Sequence, residues 1–353
     1  MRRPALSAIL AAGALLVLAS PLLGVQFTSV LTADTLPANV SAGQVAQVMS
    51  REFPAPISDQ EQLLIDAPAA DQASITTVAN TVKAITGVAA VGQPQILDHT
   101  RWLIPITLSG QPISSTSRAT LDSIQHLQFP RKVRLTGPTA DALALNTSLR
   151  QHLPLAAGTL MAATVLVLFA MTRSIVLPAK AVLMNALSLG AALGSVVFVF
   201  QQGHLTGLLA ATGQGALDST APIVLAAVAF GLSTDYGVFL LGRIKESHDL
   251  GHDNRQAVAT GIEHTGRIVT SAAALLCLSM CALLLSRLVF VKELGLGAAL
   301  AVLLDATIVR AVLVPALMTL LGKTNWWAPK PLLALHDCVS GKANRQELAD
   351  NGH

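Results

Sequence analysis

Charged residues are scarce in this sequence, since Asp, Glu, Lys and Arg together make up only 12% of it. A soluble globular chain usually carries about 25% charged residues. Hydrophobic residues reach 52%, so much of the surface is expected to face lipid instead of water. The net charge of +3 is small, and we expect membrane lipids and no nucleic acid among the partners.

Cysteine and the common cofactor motifs are equally sparse. The three cysteines form no CxxC pair and no histidine-rich cluster, which argues against a disulfide or metal framework. Cys277 and Cys281 are therefore interpreted as small packing residues. The sequence has no P-loop and no GxGxxG followed by an acidic residue, so no ATP, dinucleotide or other cofactor is expected. It also lacks a GxSxG elbow and an HExxH pair, and an enzyme such as a hydrolase is not predicted.

Long apolar segments are the most prominent feature of the sequence. The hydrocarbon core of a bilayer is about 30 Å thick, so a spanning helix needs roughly 20 mostly apolar residues. About six segments meet that criterion, and they predict a membrane α-helical bundle of about six transmembrane helices. The segments are 6–25, 153–171, 176–200, 221–241, 268–286 and 294–321.

One polar stretch, 26–152, separates the first apolar segment from the second and is long enough for a compact domain. Its pattern predicts the order β-α-β-β-α-β, which is the split βαβ order of a ferredoxin-like α+β domain. The predicted elements are strands 61–65, 88–97, 101–108 and 131–135 and helices 71–85 and 114–127. The expected division is a first transmembrane helix 1–25, an extracytoplasmic domain 26–152, a five-helix bundle 153–322 and a tail 323–353.

Lys and Arg in the short loops set the predicted orientation, because cytoplasmic loops are enriched in them. They cluster before the first apolar segment, between the second and third, between the fourth and fifth, and after the sixth. Both termini are therefore predicted to be cytoplasmic, and 26–152 to lie outside. The first segment also has features of a signal peptide, but Pro21 at the expected cleavage point and the apolar run 22–25 favour an uncleaved anchor.

Ionisable residues inside the apolar segments are functional candidates because charge is costly in lipid. Asp235 lies eight residues before Arg243, the cytoplasmic edge of its segment, which places it about 12 Å inside the membrane. Such a carboxyl group could take up a proton outside and release it inside. Tyr236, the only tyrosine, is expected to donate to a carboxylate of a neighbouring helix, since adjacent residues of one helix point apart. The alternative is that Asp235 only ties helices together.

The sixth apolar segment holds a second candidate, Asp305, about 18 Å from its outer end. A proton relay and structural helix pairing are both open for Asp305. Arg310 is five positions on, so α-helical geometry predicts that it lies on a different face and extends to the cytoplasmic surface. Elsewhere, Gly190 and Gly194 predict a close helix contact. The polar stretch 253–264 is predicted to be a short helix on the cytoplasmic membrane surface.

The segment 231–246, with Asp235 and Tyr236 near its centre, resembles the Asp-Tyr motif of the MMPL branch of the RND transporter superfamily. The resemblance implies a secondary active transporter of a bacterial plasma membrane, which exports lipids or other hydrophobic substrates by proton influx. It also implies that Asp235 carries the proton and that Tyr236 pairs with the matching repeat. Other segments that resemble the family, in chain order, are 136–141, 172–188, 265–268, 292–295, 305–310, 314–315 and 326–329.

The number of repeats departs from the family pattern. Members usually contain two such repeats, whereas this sequence has one, which resembles the second, and its outer stretch has room for about one porter-type domain. Three explanations are open: a separate chain supplies the first repeat, two copies form a homodimer, or the chain is a truncated product without transport. The alternative function is a non-transporting membrane scaffold or lipid-binding subunit. No particular substrate is indicated.

Overall fold

The computed structural model of the chain describes residues 3–28, 60–109, 114–129, 131–207 and 217–334, with the single positions 41, 44, 45, 48, 209 and 336. The chain forms two compact units. One comprises Met1–Gln26 and Leu155–His353, and the other comprises Phe27–Pro154. Cys338 and the part of the predicted tail beyond residue 336 lie outside the described residues.

Within the described ranges, six helices are long and apolar enough to cross a membrane. They occur in the order of the predicted apolar segments, which confirms the prediction of about six spanning helices. Their bounds are Pro4–Gly24, Pro138–Thr172, Val176–Gln201, Ala221–Asp249, Asn254–Leu285 and Val289–Trp326.

Several of these spans combine an α-helix with tighter or wider turns. The α-helices are α1 (Pro4–Ala19), α2 (Gln72–Lys83), α3 (Ser115–Gln125), α4 (Pro138–Thr172), α5 (Val176–Val196), α6 (Ala221–Asp249), α7 (Asn254–Ala282), α8 (Val289–Leu304) and α9 (Val314–Leu321). The 3-10 turns are Ser20–Gly24, Leu283–Leu285 and Gly322–Trp326. The π-helical turns are Val197–Gln201 and Asp305–Leu313.

Helix α1 packs closely against α5 through small residues. A Cβ atom added at Gly194 would lie 2.2 Å from the carbonyl oxygen of Leu18, a distance that backbone atoms cannot accept. A Cβ atom at Gly190 would lie 3.6 Å from the Cβ of Ala19, which is an ordinary contact. The predicted close contact is therefore confirmed, and it requires glycine at position 194 only.

Helix α7 is continuous, and Asp253 caps its start, because the Asp253 side chain accepts a hydrogen bond from the Gln256 N–H at 2.6 Å. The prediction of a separate short helix over 253–264 is wrong. Ala257 and Val258 are buried in the same apolar core as Ile244 of α6. The apolar positions of this stretch contact protein, so they give no reason to place a surface helix there.

The second unit is built on an antiparallel sheet. Its strands are β2 (Glu61–Asp66), β3 (Val88–Val91), β4 (Gln95–Asp98), β5 (Arg101–Leu108) and β6 (Lys132–Thr136), while β1 (Phe27–Thr28) and β7 (Leu217–Asp218) are two-residue strands outside it. The order across the sheet is β3-β5-β2-β6, and β4 also pairs with β5. Every other residue of β2 is buried, as expected for a sheet with one covered face.

Helices α2 and α3 cover that buried face. Ile75, Val78 and Val82 of α2 are buried, which confirms the predicted apolar face of this helix. The prediction of a single strand over 88–97 is wrong, because β3 and β4 are separate strands that both pair with β5. Pro94 lies between them and has no N–H to donate to a strand ladder.

Polar contacts hold the edges of the second unit. Glu61 is buried and accepts hydrogen bonds from the N–H groups of Thr139 at 2.7 Å and Ala140 at 3.2 Å, so it caps α4. Arg131 donates to Asp71 at 2.6 Å. Hydrogen bonds from Ser74 and then from Arg131 lower the pKa of the Asp71 carboxyl below its ordinary value.

Candidate functional site

A π-helical turn in the last span builds the centre of the candidate site. Residues of a π-helix are joined five positions apart, so Asp305 and Arg310 come onto one face. The Arg310 Nε donates to Asp305 Oδ2 at 2.8 Å, and its Nη2 lies 2.7 Å from the same oxygen. The prediction that Arg310 lies on a different face and extends to the cytoplasmic surface is wrong. It assumed α-helical geometry, whereas Arg310 is only 7% exposed.

Neutral polar residues of two other helices form hydrogen bonds around this ion pair. Ser233 of α6 donates through its hydroxyl to Asp305 Oδ1 at 2.8 Å, and its backbone carbonyl accepts from Arg310 Nη2 at 2.6 Å. The same hydroxyl lies 2.6 Å from Asn185 Oδ1 of α5. All four side chains are buried. The resulting Asn185–Ser233–Asp305–Arg310 set, called the buried network below, joins three spans.

Tyr236 lies at the edge of the buried network. The guanidinium carbon of Arg310 is 5.5 Å from the centroid of the Tyr236 ring, within the range of a cation–π contact. The expected hydrogen bond from the Tyr236 hydroxyl to a carboxylate of another helix is absent among the described residues. Tyr236 thus contacts the buried network through its ring, by way of Arg310.

Asp235 lies away from this network. It is exposed, and within the described part of the chain it makes no hydrogen bond or ion pair. It shares an outward face of α6 with Val224, Val228 and Phe239, which are 42%, 42% and 43% exposed. Gly231 lies on that face as well, and a Cβ atom there would meet nothing within 4 Å. These five residues are called the open face of α6 below.

A cavity adjoins the buried network. It has a volume of about 40 Å³, enough for a few water molecules at roughly 10–15 Å³ each. Its lining includes Asn185, Asp305 and Arg310 and also Lys180 and Met318. Lys180 donates to the Oδ1 of the buried Asn325. The cavity therefore runs from the buried network towards the start of α5 and the end of α9.

Ser233 and Asn185 were missed at the sequence level. A search for charged residues in apolar segments finds Asp235, Asp305 and Arg310 but passes over neutral polar residues. Both are neutral polar residues within apolar segments, and this feature could have identified them. A hydroxyl or amide group in a span needs a partner inside the protein. Their shared partner, however, lies in a distant segment of the chain and follows from the packing alone.

Comparison with known proteins identifies the family of this chain. The model of the MMPL family matches residues 28–335. The chain belongs to the MMPL family. This MMPL chain is 38% identical over 336 residues to SCO6666 of Streptomyces coelicolor, which is named as a membrane protein. That match covers 95% of this chain and 46% of the relative.

A second relative carries a functional name. The trehalose monomycolate exporter MmpL3 of Mycolicibacterium smegmatis is 40% identical over 212 residues, which are 60% of this MMPL chain and 21% of the relative. Among solved structures, a heavy metal efflux pump matches 82% of this chain and 41% of its own with a TM-score of 0.51. At 11% identity this likeness concerns the fold alone. The chain thus spans half or less of the length of these matches.

Proposed function

We propose that this chain is one half of a proton-driven transporter that exports a lipid or another hydrophobic substrate across a bacterial plasma membrane. The observation that carries the proposal is the buried Asp305–Arg310 ion pair in a membrane span. Ionisable residues at such positions are costly, and they mark ion and proton pathways in transport proteins. The name of MmpL3, a trehalose monomycolate exporter, supports a lipid substrate.

The hydroxyl of Ser233 gives Asp305 two alternative hydrogen-bonding states. It lies within hydrogen-bond distance of both Asp305 Oδ1 and Asn185 Oδ1, but it has one hydrogen to donate. When Asp305 is ionised, Ser233 donates to it and the Asn185 amide turns its NH2 group towards Ser233. When Asp305 is protonated, it donates to Ser233, which donates to Asn185. Protonation also removes the charge that holds Arg310.

These two states couple a proton to helix packing. Asn185 belongs to α5, Ser233 to α6 and Asp305 to the last span, so a change at Asp305 alters contacts among three helices. A switch of this kind needs a local change of charge and an element with two arrangements. The π-helical turn, with its 5-residue spacing, supplies such an element, since it places Arg310 beside Asp305 where an α-helix would separate them.

Asp235 is assigned the role of carrying the proton at a contact with a matching half. A carboxylate facing lipid at the middle of a span costs roughly 2.5–3.5 kcal/mol on insertion scales. The open face of α6 therefore needs a protein surface opposite it, and Gly231 leaves room for close approach. The relatives are longer than this chain by a factor of about two or more. The occupant that fits is the first repeat of such a transporter, on a longer protein or a separate chain.

The outer unit is assigned to the extracytoplasmic side as a porter-type domain. The sheet order β3-β5-β2-β6, with all pairs antiparallel, supports a ferredoxin-like domain. The excess of Lys and Arg in alternate short loops supports cytoplasmic termini. In this arrangement the proton enters from the extracytoplasmic side of the membrane and leaves through the cavity near Lys180.

The test is proton flux in lipid vesicles that contain the purified chain with any co-purifying partner. A long-chain trehalose monoester serves as the probe lipid, and an internal pH-sensitive dye reports proton movement under an imposed pH gradient. We expect the probe lipid to accelerate proton entry above the rate in protein-free vesicles. Rates equal to those of protein-free vesicles, with a complete complex present, would favour the non-transporting scaffold instead.

A further inference from the structure

Two buried acidic residues are in contact at one end of the last span, while Lys180 and Asn325 lie at the other end. Asp218 lies three residues before the start of α6 and is 5% exposed, and Glu293 lies near the start of α8 and is 2% exposed. The backbone N–H of Asp218 donates to the Glu293 carboxylate, so the two residues are in direct contact. Neither residue belongs to the buried network or to the cavity beside it.

Each of the two carboxylates has one oxygen with a partner and one without. Asp218 Oδ1 accepts from the Thr220 N–H at 2.7 Å and from the Thr220 hydroxyl. Asp218 Oδ2 is buried and has no hydrogen-bond partner among the described residues, and the same holds for Glu293 Oε2. Buried polar atoms are nearly always hydrogen-bonded, so two orphaned oxygens in one contact call for a shared cause.

A proton on one of the two residues would remove one of two buried negative charges. Two buried carboxylates in contact disfavour double ionisation, and one of them takes up a proton. A protonated carboxyl group becomes an O–H donor, while an ionised one only accepts. A proton on this pair therefore leaves one buried charge where there would be two, and it turns one acceptor oxygen into a donor.

Among the described residues, the charged and titratable groups on the segments next to this pair include Lys292, Arg287, His204 and Cys281. Lys292 is buried, and its ammonium donates to the carbonyl oxygen of Leu209 at 2.5 Å. Arg287 precedes α8 and is exposed. His204 is exposed and stacks on Phe198 with ring centroids 4.1 Å apart. Cys281 lies near the end of α7, which packs against α8.

We propose that Asp218 and Glu293 form a proton-binding carboxyl dyad that holds one proton at neutral pH. Glu293 precedes Asp305 by twelve residues on the same span, or about 18 Å of α-helix. On the orientation proposed above, the dyad lies at the outer end of the bundle and loads the proton that Asp305 and Asp235 pass inward. The role of the dyad in loading a transported proton rests on the proposed function. The presence of a proton on the dyad does not depend on that function.

Infrared spectroscopy of the full chain in lipid vesicles tests the dyad without any transport measurement. Ordinary Glu carboxyls titrate near 4.3 and are ionised at pH 7. At pH 7 we expect the C=O stretching band of a protonated carboxyl group, shifted in heavy water and lost in Glu293→Gln. The matched control is Glu263→Gln, which removes an exposed carboxylate of α7 and leaves the band unchanged.

Asp218→Asn is the second variant, because the amide oxygen still accepts from Thr220. Loss of the band in both dyad variants, with the band kept in Glu263→Gln, supports the proposal. A wild-type spectrum without a protonated carboxyl at pH 7, or a band whose intensity is the same in Glu293→Gln as in the wild type, overturns it. A dyad band in vesicles that show no proton flux would leave the dyad standing and contradict the proposed function alone.

Discussion

Arg310 and Asp305 are joined at 2.8 Å across five positions of one chain segment, a spacing that a π-helical turn allows and an α-helical turn does not. π-helical turns are rare in proteins, and those that occur are often found at functional sites. Here the turn places a guanidinium group and a carboxylate together inside a membrane span. The pair ties the chemistry of the candidate site to the local geometry of one helix.

Removal of Arg310 alone should destabilise the protein. Arg310→Met leaves Asp305 buried without its cation, and breaking a buried ion pair in this way costs about 3–5 kcal/mol. We expect a lower thermal midpoint in detergent and lower abundance in the membrane. The double variant Asp305→Asn with Arg310→Met removes both charges and should recover much of that loss. Equal stability of the single and double variants would contradict the ion-pair account.

Asp235→Asn should abolish proton-coupled transport and leave insertion and abundance intact. The side chain is exposed and has no partner in the described part of the chain, so the isosteric amide disturbs no contact there. Proton flux in vesicles and membrane abundance on immunoblots are the two measurements. Glu263→Gln is the matched exposed control and should behave as the wild type. Normal flux through Asp235→Asn would remove this residue from the relay.

Ser233→Ala should slow proton flux, because the alanine cannot exchange a hydrogen bond between Asp305 and Asn185. The loss of one such bond to a charged group is about 1.5–3 kcal/mol, so the expected decrease in rate is roughly tenfold or more. Ser195→Ala is the control, since Ser195 lies outside the cavity lining and donates to the Ala191 carbonyl of its own helix at 2.8 Å. Similar rates in the two variants would separate Ser233 from the proton pathway.

Gly194→Ala should force α1 away from α5. The added Cβ would lie 2.2 Å from the Leu18 carbonyl oxygen, and overpacking of this kind costs typically 1–3 kcal/mol. Gly190→Ala, one turn earlier on the same face, meets Ala19 at 3.6 Å and should be nearly neutral. Thermal unfolding in detergent compares the two. An equal shift for both variants would mean that the close approach at Gly194 relaxes without cost.

Gly231→Leu should weaken association with the proposed first repeat. A side chain at this position meets nothing within 4 Å, so the chain itself is expected to fold normally. Gly158→Leu is the control on α4, where a Cβ atom also meets nothing within 4 Å. Native mass spectrometry from membranes measures the fraction of chain in a complex. A homodimer of the wild type would make a second copy the occupant of the open face, and a wild-type monomer would leave it uncovered.

The membrane spans and much of the outer unit follow from local pattern. Apolar segments of about 20 residues specify spanning helices whatever their neighbours are, because the bilayer leaves backbone groups no other partner. The amphipathic repeat of Ile75, Val78 and Val82 likewise predicts which face of α2 is buried. Both signals depend on residues close in the chain. For the same reason the sequence predicted one strand over 88–97, since the break between β3 and β4 depends on their pairing with β5.

The candidate site was only partly predictable. The sequence singled out Asp235, Tyr236 and Asp305 as polar groups in apolar surroundings. Its motifs also indicated the family of the chain. Only the tertiary structure separated Asp235 on the open face from Asp305 in the buried network. It also brought Ser233 and Asn185 to Asp305, and Glu293 to Asp218, through contacts between distant segments.

The physical reason is the range over which each property acts. Hydropathy is a sum over neighbouring residues, so the sequence by itself determined the spans and the candidate carboxylates. A hydrogen bond or ion pair depends on geometry at the scale of an ångström, and a change from α-helical to π-helical turns moves Arg310 onto the face of Asp305. Which carboxylate is buried, and which partner it has, was therefore decided by the packing of α5, α6 and the last span.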